Sequence, residues 1–148
     1  IHIVRNPITV FLSSRKFFTE LLPTLWMHEV EESFIEEMIL DVYERIMRDF
    51  LETRAEIPED NFLEIRFEDF EEDPLSLMDR IYRKFGISGS QKVREDMKSY
   101  VEKMSGYKKN RYEKLPEEIL RKIQDRWGFA MKIWDYRVPE SLDIIHED

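Results

Sequence analysis

Residues Ile3-Val4-Arg5-Asn6-Pro7-Ile8-Thr9-Val10-Phe11-Leu12-Ser13 decide how the chain is read. The apolar run Ile1-His2-Ile3-Val4 reads as a short buried strand. Asn6 is a good N-cap and Pro7 suits the first helical position, so a helix is expected over 7–22, where Pro23 stops it. A strand that ends at an arginine and feeds a capped helix is a sound place for a phosphate. Helix N-termini offer free N–H groups and a favourable dipole, and arginine adds a bidentate contact. Ser13 lies ~9 Å along that helix from Pro7, at ~1.5 Å per residue. The same pattern also suits a plainly capped helix with a surface arginine.

Working outward, the clearest element is a helix whose apolar positions run Phe34, Ile35, Met38, Ile39, Val42, Tyr43, Ile46, Met47, Phe50 and Leu51. That broad stripe needs a surface to bury it. Residues 62–67 alternate apolar and charged and read as a second strand. An acidic loop follows. Asp73-Pro74 then opens a helix that Gly86 closes. Another helix is expected over 91–104 with Gly106 as its end signal, then a basic loop, then a last helix from Pro116 to about Trp134. The tail after Tyr136 reads as irregular. Two strands among many helices, without a hairpin signal, indicate part of an α/β parallel sheet. Two strands are too few for a whole sheet, and the chain begins inside an apolar run. Both lead us to expect an N-terminal portion ahead of residue 1, with residues 1–148 forming the C-terminal part of a larger domain.

Composition narrows the function. The 148 residues allow one domain with a core, and 10 Phe, 6 Tyr and 3 Trp exclude a disordered tail. No apolar run is long enough to span a bilayer, and no signal peptide is visible, so a cytoplasmic setting is expected. With no cysteine there is no disulfide, thiolate zinc site or cysteine nucleophile. His2, His28 and His146 are too scattered for metal-ligand spacing, so no metal is expected. A net charge of −9 argues against nucleic acid as a partner. The charge is uneven, however. Up to Thr19 the only charged side chains are Arg5, Arg15 and Lys16. Lys103, Lys108, Lys109, Arg111 and Lys114 cluster against Glu113 alone. An acidic chain with two basic segments suits a small anionic ligand.

Three segments carry chemistry: the first stretch above, then Arg66-Phe67-Glu68-Asp69-Phe70 with Asp73-Pro74, then Tyr107-Lys108-Lys109-Asn110-Arg111-Tyr112. Acids at a strand end, such as Glu68 and Asp69, can be catalytic but more often cap helices or pair with neighbours. A basic loop between helices can close over a phosphate, or can be a solvated linker. In their order and spacing, with Trp127-Gly128-Phe129 and Trp134-Asp135-Tyr136 behind them, these segments resemble the sulfotransferase superfamily, in its bacterial-type branch. The resemblance spans residues 3–136. It implies a helix-rich C-terminal part of a P-loop-like parallel-sheet fold. The implied donor is 3′-phosphoadenosine 5′-phosphosulfate, with 3′,5′-ADP as product.

Residue by residue, the resemblance implies that Arg5 and Ser13 bind the donor's 3′-phosphate. It places Phe67 near the adenine, where the family usually has tyrosine, so a hydroxyl contact is lost. It gives Lys108, Lys109 and Asn110, with Arg111 beside them, the role of closing over the nucleotide phosphates. The glycine-containing loop that wraps the 5′-phosphosulfate is absent from Gly86, Gly89, Gly106 and Gly128, and would lie upstream of Ile1. His28, in a connector beside Trp26 and Met27, is the candidate general base, although a lone histidine there is usually structural. The acceptor is open: small molecule, carbohydrate, lipid or protein. Two other readings stay open on the residues alone, a nucleotide or nucleoside kinase using ATP and magnesium, and a helical interaction module docking through the stripe over 34–51.

Overall fold

The computed structural model describes residues 1–20, 22–24, 30–89, 91–104, 106 and 114–146. The chain divides into two units, Ile1–Arg5 with Ala55–Asn110, and Asn6–Arg54 with Arg111–Asp148.

The first unit is built on a parallel pair. Strand β1 (His2–Val4) runs beside β2 (Glu64–Arg66) with His2 opposite Glu64, Ile3 opposite Ile65 and Val4 opposite Arg66. The His2 amide also donates to the Leu63 carbonyl at 2.9 Å, and its ring nitrogen lies 3.1 Å from the Glu64 carboxylate. Phe67, expected as the last residue of the second strand, and the acidic loop expected after it form a short helix α3 (Phe67–Glu72). Helix α4 (Pro74–Lys84) follows as expected. The Asp73 carboxylate caps it by accepting from the Ser76 amide at 3.1 Å, and hydrogen bonds from the Ser76 hydroxyl first and its amide second hold the Asp73 carboxyl below the ordinary aspartate range. Gly86, at φ +61°, ends α4 in a Schellman turn, with Ile87 N–H donating to the Tyr82 carbonyl at 2.9 Å. Leu63, Ile65, Leu77 and Ile81 make the core of this unit, with Phe70, Met78 and Phe85 packed on it. Helix α5 spans Gln91–Met104, the bounds expected.

The second unit packs three helices: α1 (Pro7–Glu20), α2 (Glu32–Thr53) and α6 (Glu117–Ile133). The Asn6 side chain accepts from the Ile8 amide at 3.0 Å, so it is the expected cap of α1. Its amide nitrogen donates to the Arg137 carbonyl at 2.8 Å and ties that cap to the chain beyond α6. Trp127 is fully buried at the centre. Its Nε1–H donates to the Leu40 carbonyl at 3.0 Å, and its ring lies 4.0 Å from that of Tyr43 and 5.9 Å, edge-on, from Phe11. Truncating a buried tryptophan costs ~3–5 kcal/mol, which measures how much this contact holds. The stripe expected on α2 is only partly a core stripe. Ile35, Ile39, Leu40 and Met47 are buried, whereas Phe34, Val42 and Ile46 remain more than half exposed on the neighbouring face.

Two strands were not expected. β3 (Lys114–Pro116) and β4 (Asp143–Ile145) form a second parallel pair, with Leu115 opposite Ile144, so the tail beyond Tyr136 is not wholly irregular. Among the described residues the architecture is therefore helices with two small parallel pairs, an α/β arrangement. No helix among them is long and apolar enough to cross a membrane.

Two features of the second unit have measurable consequences. Burial pushes the Tyr43 hydroxyl up to about 12, against ~10 for the unfolded chain. The unfolded state therefore releases this proton first, and stability falls as pH rises from ~10 towards the folded value. Tyr43→Phe should flatten that alkaline limb in melts followed by circular dichroism. At the end of α6, Asp135 takes a left-handed φ of 49°, with Tyr136 N–H donating to the Met131 carbonyl at 2.8 Å. Asp135→Gly should relieve a cost of about 1 kcal/mol and raise the melting temperature by a few degrees.

Candidate functional site

The register of β1 and β2 fixes what leaves their ends. Because Val4 pairs with Arg66 in a parallel ladder, the next residues, Arg5 and Phe67, emerge side by side at the C-terminal end of both strands. That end is where open parallel α/β sheets bind ligands. The Arg5 guanidinium carbon lies 4.4 Å from the centroid of the Phe67 ring. Such a cation–π contact contributes ~0.5–1 kcal/mol where exposed and ~2 kcal/mol where desolvated. Both residues are half-buried. Among the described residues Arg5 has no carboxylate partner. An arginine held in place by a ring, half-covered and not paired with an acid, presents a fixed positive charge with its donor fork available.

Ser13 lies in α1, half-buried. Its neighbour Arg15 is engaged elsewhere, with the Glu36 carboxylate at 3.2 Å. The structure thus brings together two of the expected site residues, Arg5 and Phe67. Lys108, Lys109, Asn110 and Arg111, and the candidate base His28, lie outside the described residues. Glu68 is half-buried and Asp69 exposed in α3, where both sit in the first turn, a placement that complements the helix dipole. No three His, Asp or Glu side chains converge on a possible metal position among the described residues.

One relationship escaped the sequence. The resemblance implies only that Phe67 lies near the adenine; in the structure its ring supports Arg5. The signal was present as two strands followed by Arg and by Phe. Reading it required their parallel pairing and register, which neither strand specifies alone.

Residues 1–91 match the Sulfotransferase family, more than half of the chain and a stretch that takes in Arg5, Ser13 and Phe67. The chain belongs to the sulfotransferase family. Two curated sulfotransferases are similar to it: the omega-hydroxy-beta-dihydromenaquinone-9 sulfotransferase Stf3 of Mycobacterium bovis and that of Mycobacterium tuberculosis. Each is 24% identical over 136 residues, covering 92% of this chain and 35% of the relative. This sulfotransferase chain therefore spans about a third of the length of the curated relatives it matches. No solved structure matches it.

Proposed function

We propose that this chain supplies the 3′-phosphate and adenine side of the donor site of a sulfotransferase that uses 3′-phosphoadenosine 5′-phosphosulfate. The observation that carries the reading is Arg5, held over Phe67 at the C-terminal end of the parallel pair with no acid beside it among the described residues. In this reading the Arg5 fork and the Ser13 hydroxyl hold the 3′-phosphate. Phe67 orients Arg5 with one face, and its remaining edge packs by the base. Lys108, Lys109 and Asn110 close over the nucleotide phosphates, and β1 and β2 belong to the parallel sheet of a P-loop-like fold. The family match favours this reading over the nucleotide-kinase one.

The reaction is an in-line displacement at sulfur. An acceptor oxygen or nitrogen forms a bond to sulfur as the bond from sulfur to the 5′-phosphate oxygen breaks. The electron pair leaves with 3′,5′-ADP, and the acceptor proton passes to a general base, for which His28 is the candidate. The relatives are named for a hydroxylated substrate, which supports a hydroxyl as the accepting group. The contribution of Arg5 and the basic loop is to fix the donor and offset charge on the leaving nucleotide.

Titration calorimetry of the chain with 3′,5′-ADP and with 5′-ADP tests this. Preference for the 3′-phosphorylated nucleotide is expected, and Arg5→Ala should abolish it. Equal affinity for the two nucleotides, or no binding by the folded chain, overturns the assignment. Phe67→Leu should reduce the preference about two- to fivefold, the value of an exposed cation–π contact of ~0.5–1 kcal/mol. Phe67→Tyr should keep it, because the ring face is retained. A preference unmoved by Phe67→Leu would show that the ring does not position Arg5.

A further inference from the structure

Within the first unit, α4 and α5 run antiparallel and leave a groove between them. Tyr82 and Arg83, late in α4, line a cavity of about 650 Å³ together with Val93 and Arg94, early in α5. Leu75, early in α4, lines a cavity of about 890 Å³ together with Val101 and Met104, late in α5. Met78, Val93 and Met97 line both, so the two adjoin. Small-molecule sites usually measure ~300–1,000 Å³. The α5 face from Val93 to Met104 is ~16 Å long at ~1.5 Å per residue. None of the described α5 side chains is fully buried, so the groove is open along that length.

The two ends differ in charge. At the smaller cavity the charged lining residues are Asp79, Arg83 and Arg94. The Asp79 carboxylate is paired with the Arg94 guanidinium. Arg83 donates through Nε to the Asp79 carbonyl at 3.3 Å, which fixes its stem and leaves its terminal nitrogens without a partner among the described residues. One positive charge is therefore left over. Helix α5 starts at this end, so the positive pole of its dipole adds to that charge. Helix α4 ends there too, but its last carbonyls are occupied, that of Tyr82 by Ile87 N–H at 2.9 Å and that of Arg83 by Gly86 N–H at 3.4 Å. The larger cavity is lined chiefly by apolar side chains, among them adaptable methionines. Of its two acids, Glu71 has an interaction of its own, whereas Asp96 is exposed and leaves that end negative. A molecule with an anionic head and a hydrocarbon tail is thus matched in one direction only, head at Arg83 and tail beyond Met97.

We propose that this groove binds a free, single-chain anionic amphiphile of the fatty-acid class, with its carboxylate on Arg83 and its tail along α5. The ligand is neither donor nor acceptor of the sulfuryl group, and the site does not rest on the donor-site reading. Phe67 borders the larger cavity, but the head contact that decides the assignment lies at the other end.

The test uses the neutral fluorophore N-phenylnaphthylamine with the chain at pH 8, with all competitors below their micelle concentrations. Saturable, blue-shifted emission is expected. Dodecanoate should displace it about tenfold better than dodecanol or dodecyltrimethylammonium, which carry the same tail with a neutral or positive head; that is the value of one charge-assisted hydrogen bond. Arg83→Gln should remove this advantage and leave dodecanol unchanged, whereas Arg80→Gln, exposed and outside the lining, should leave it intact. Met97→Trp and Val101→Trp, with folding checked by circular dichroism, should weaken all the ligands. Dodecanoate should also raise the melting temperature of the unsubstituted chain more than dodecanol does, a readout that needs no variant. Absence of saturable binding, or binding unmoved by both folded tryptophan variants, overturns the groove. Equal competition by the three heads, or a dodecanoate advantage that survives Arg83→Gln, overturns the anionic class. Cosedimentation of the chain with phosphatidylglycerol vesicles, undiminished by Met97→Trp, overturns the free ligand in favour of a membrane surface.

Discussion

The parallel pairing of β1 with β2 is the constraint on which the candidate site depends. Three residues on each side form the ladder, and 59 residues lie between Val4, the end of β1, and Glu64, the start of β2. Parallel neighbours cannot be joined by a tight turn, so a long crossover must connect them, and here that connection includes α1 and α2. Running both strands the same way has one chemical consequence. Their C-terminal ends coincide, and whatever follows each strand is placed together. A slip of one residue would turn Ile65 out of the core it shares with Leu63, Leu77 and Ile81 and would take Phe67 from beside Arg5. The burial of Ile65 thus sets the register, and the register sets the site.

The second unit depends on α6 in a comparable way, through two adjacent residues that face different media. Trp127 points inward and bonds the Leu40 carbonyl, whereas Arg126 lies at the rim among three carboxylates of α2. Those acids, Glu37, Asp41 and Glu44, stand at helical spacing on one face. The hydrogen bond to Asp41 leads in holding the Arg126 guanidinium above its ordinary range. Burial would push the Glu44 carboxyl up, but hydrogen bonds from Arg126 and Arg48 outweigh it and hold the group below the ordinary glutamate range. Lys122 joins the same row through Glu37 at 3.3 Å. Trp127 supplies most of the energy of the contact, since ion pairs this exposed contribute ~0–1 kcal/mol each. The charged row adds alignment of one helix along the other.

How much of this was legible depended on length. Helices with caps and sustained periodicity could be read: Asn6 and Pro7 for α1, Asp73 and Gly86 for α4, and the bounds of α5. Of the elements of three to six residues, β1 and β2 could be read from their apolar and alternating runs, but β3, β4 and α3 could not. Lys114-Leu115-Pro116 holds one apolar residue between a lysine and a proline, too little for a two-residue period, and becomes a strand only by pairing with Asp143–Ile145. The turns of α3 read as a strand end at Phe67 followed by an acidic loop, because one and a half turns show no periodicity. Phe34, Val42 and Ile46 misled in the opposite direction. They share the period of the core residues on α2, and a pattern cannot say which part of a wide stripe meets a partner. For the site, Arg5 and Phe67 were legible as residues, but their contact was not, because pairing across so many positions leaves no local trace.

A chain with a formal charge of −9 is at first sight a poor receptor for phosphate. For the phosphate role proposed above, local rather than net charge is the relevant measure. Interactions between exposed charges fade over ~8 Å at physiological salt, so an anion responds to the groups beside it. On α2, Glu37, Asp41 and Glu44 are already occupied by Arg126, Lys122 and Arg48, and Glu36 by Arg15. Arg5 stands in the reverse situation, supported by a neutral ring and with no acid partner among the described residues. A carboxylate in place of Phe67 would also have held the guanidinium still, but it would have consumed the charge. An aromatic ring fixes the position of an arginine and leaves its charge and its donor fork for the ligand, which is what a phosphate site requires.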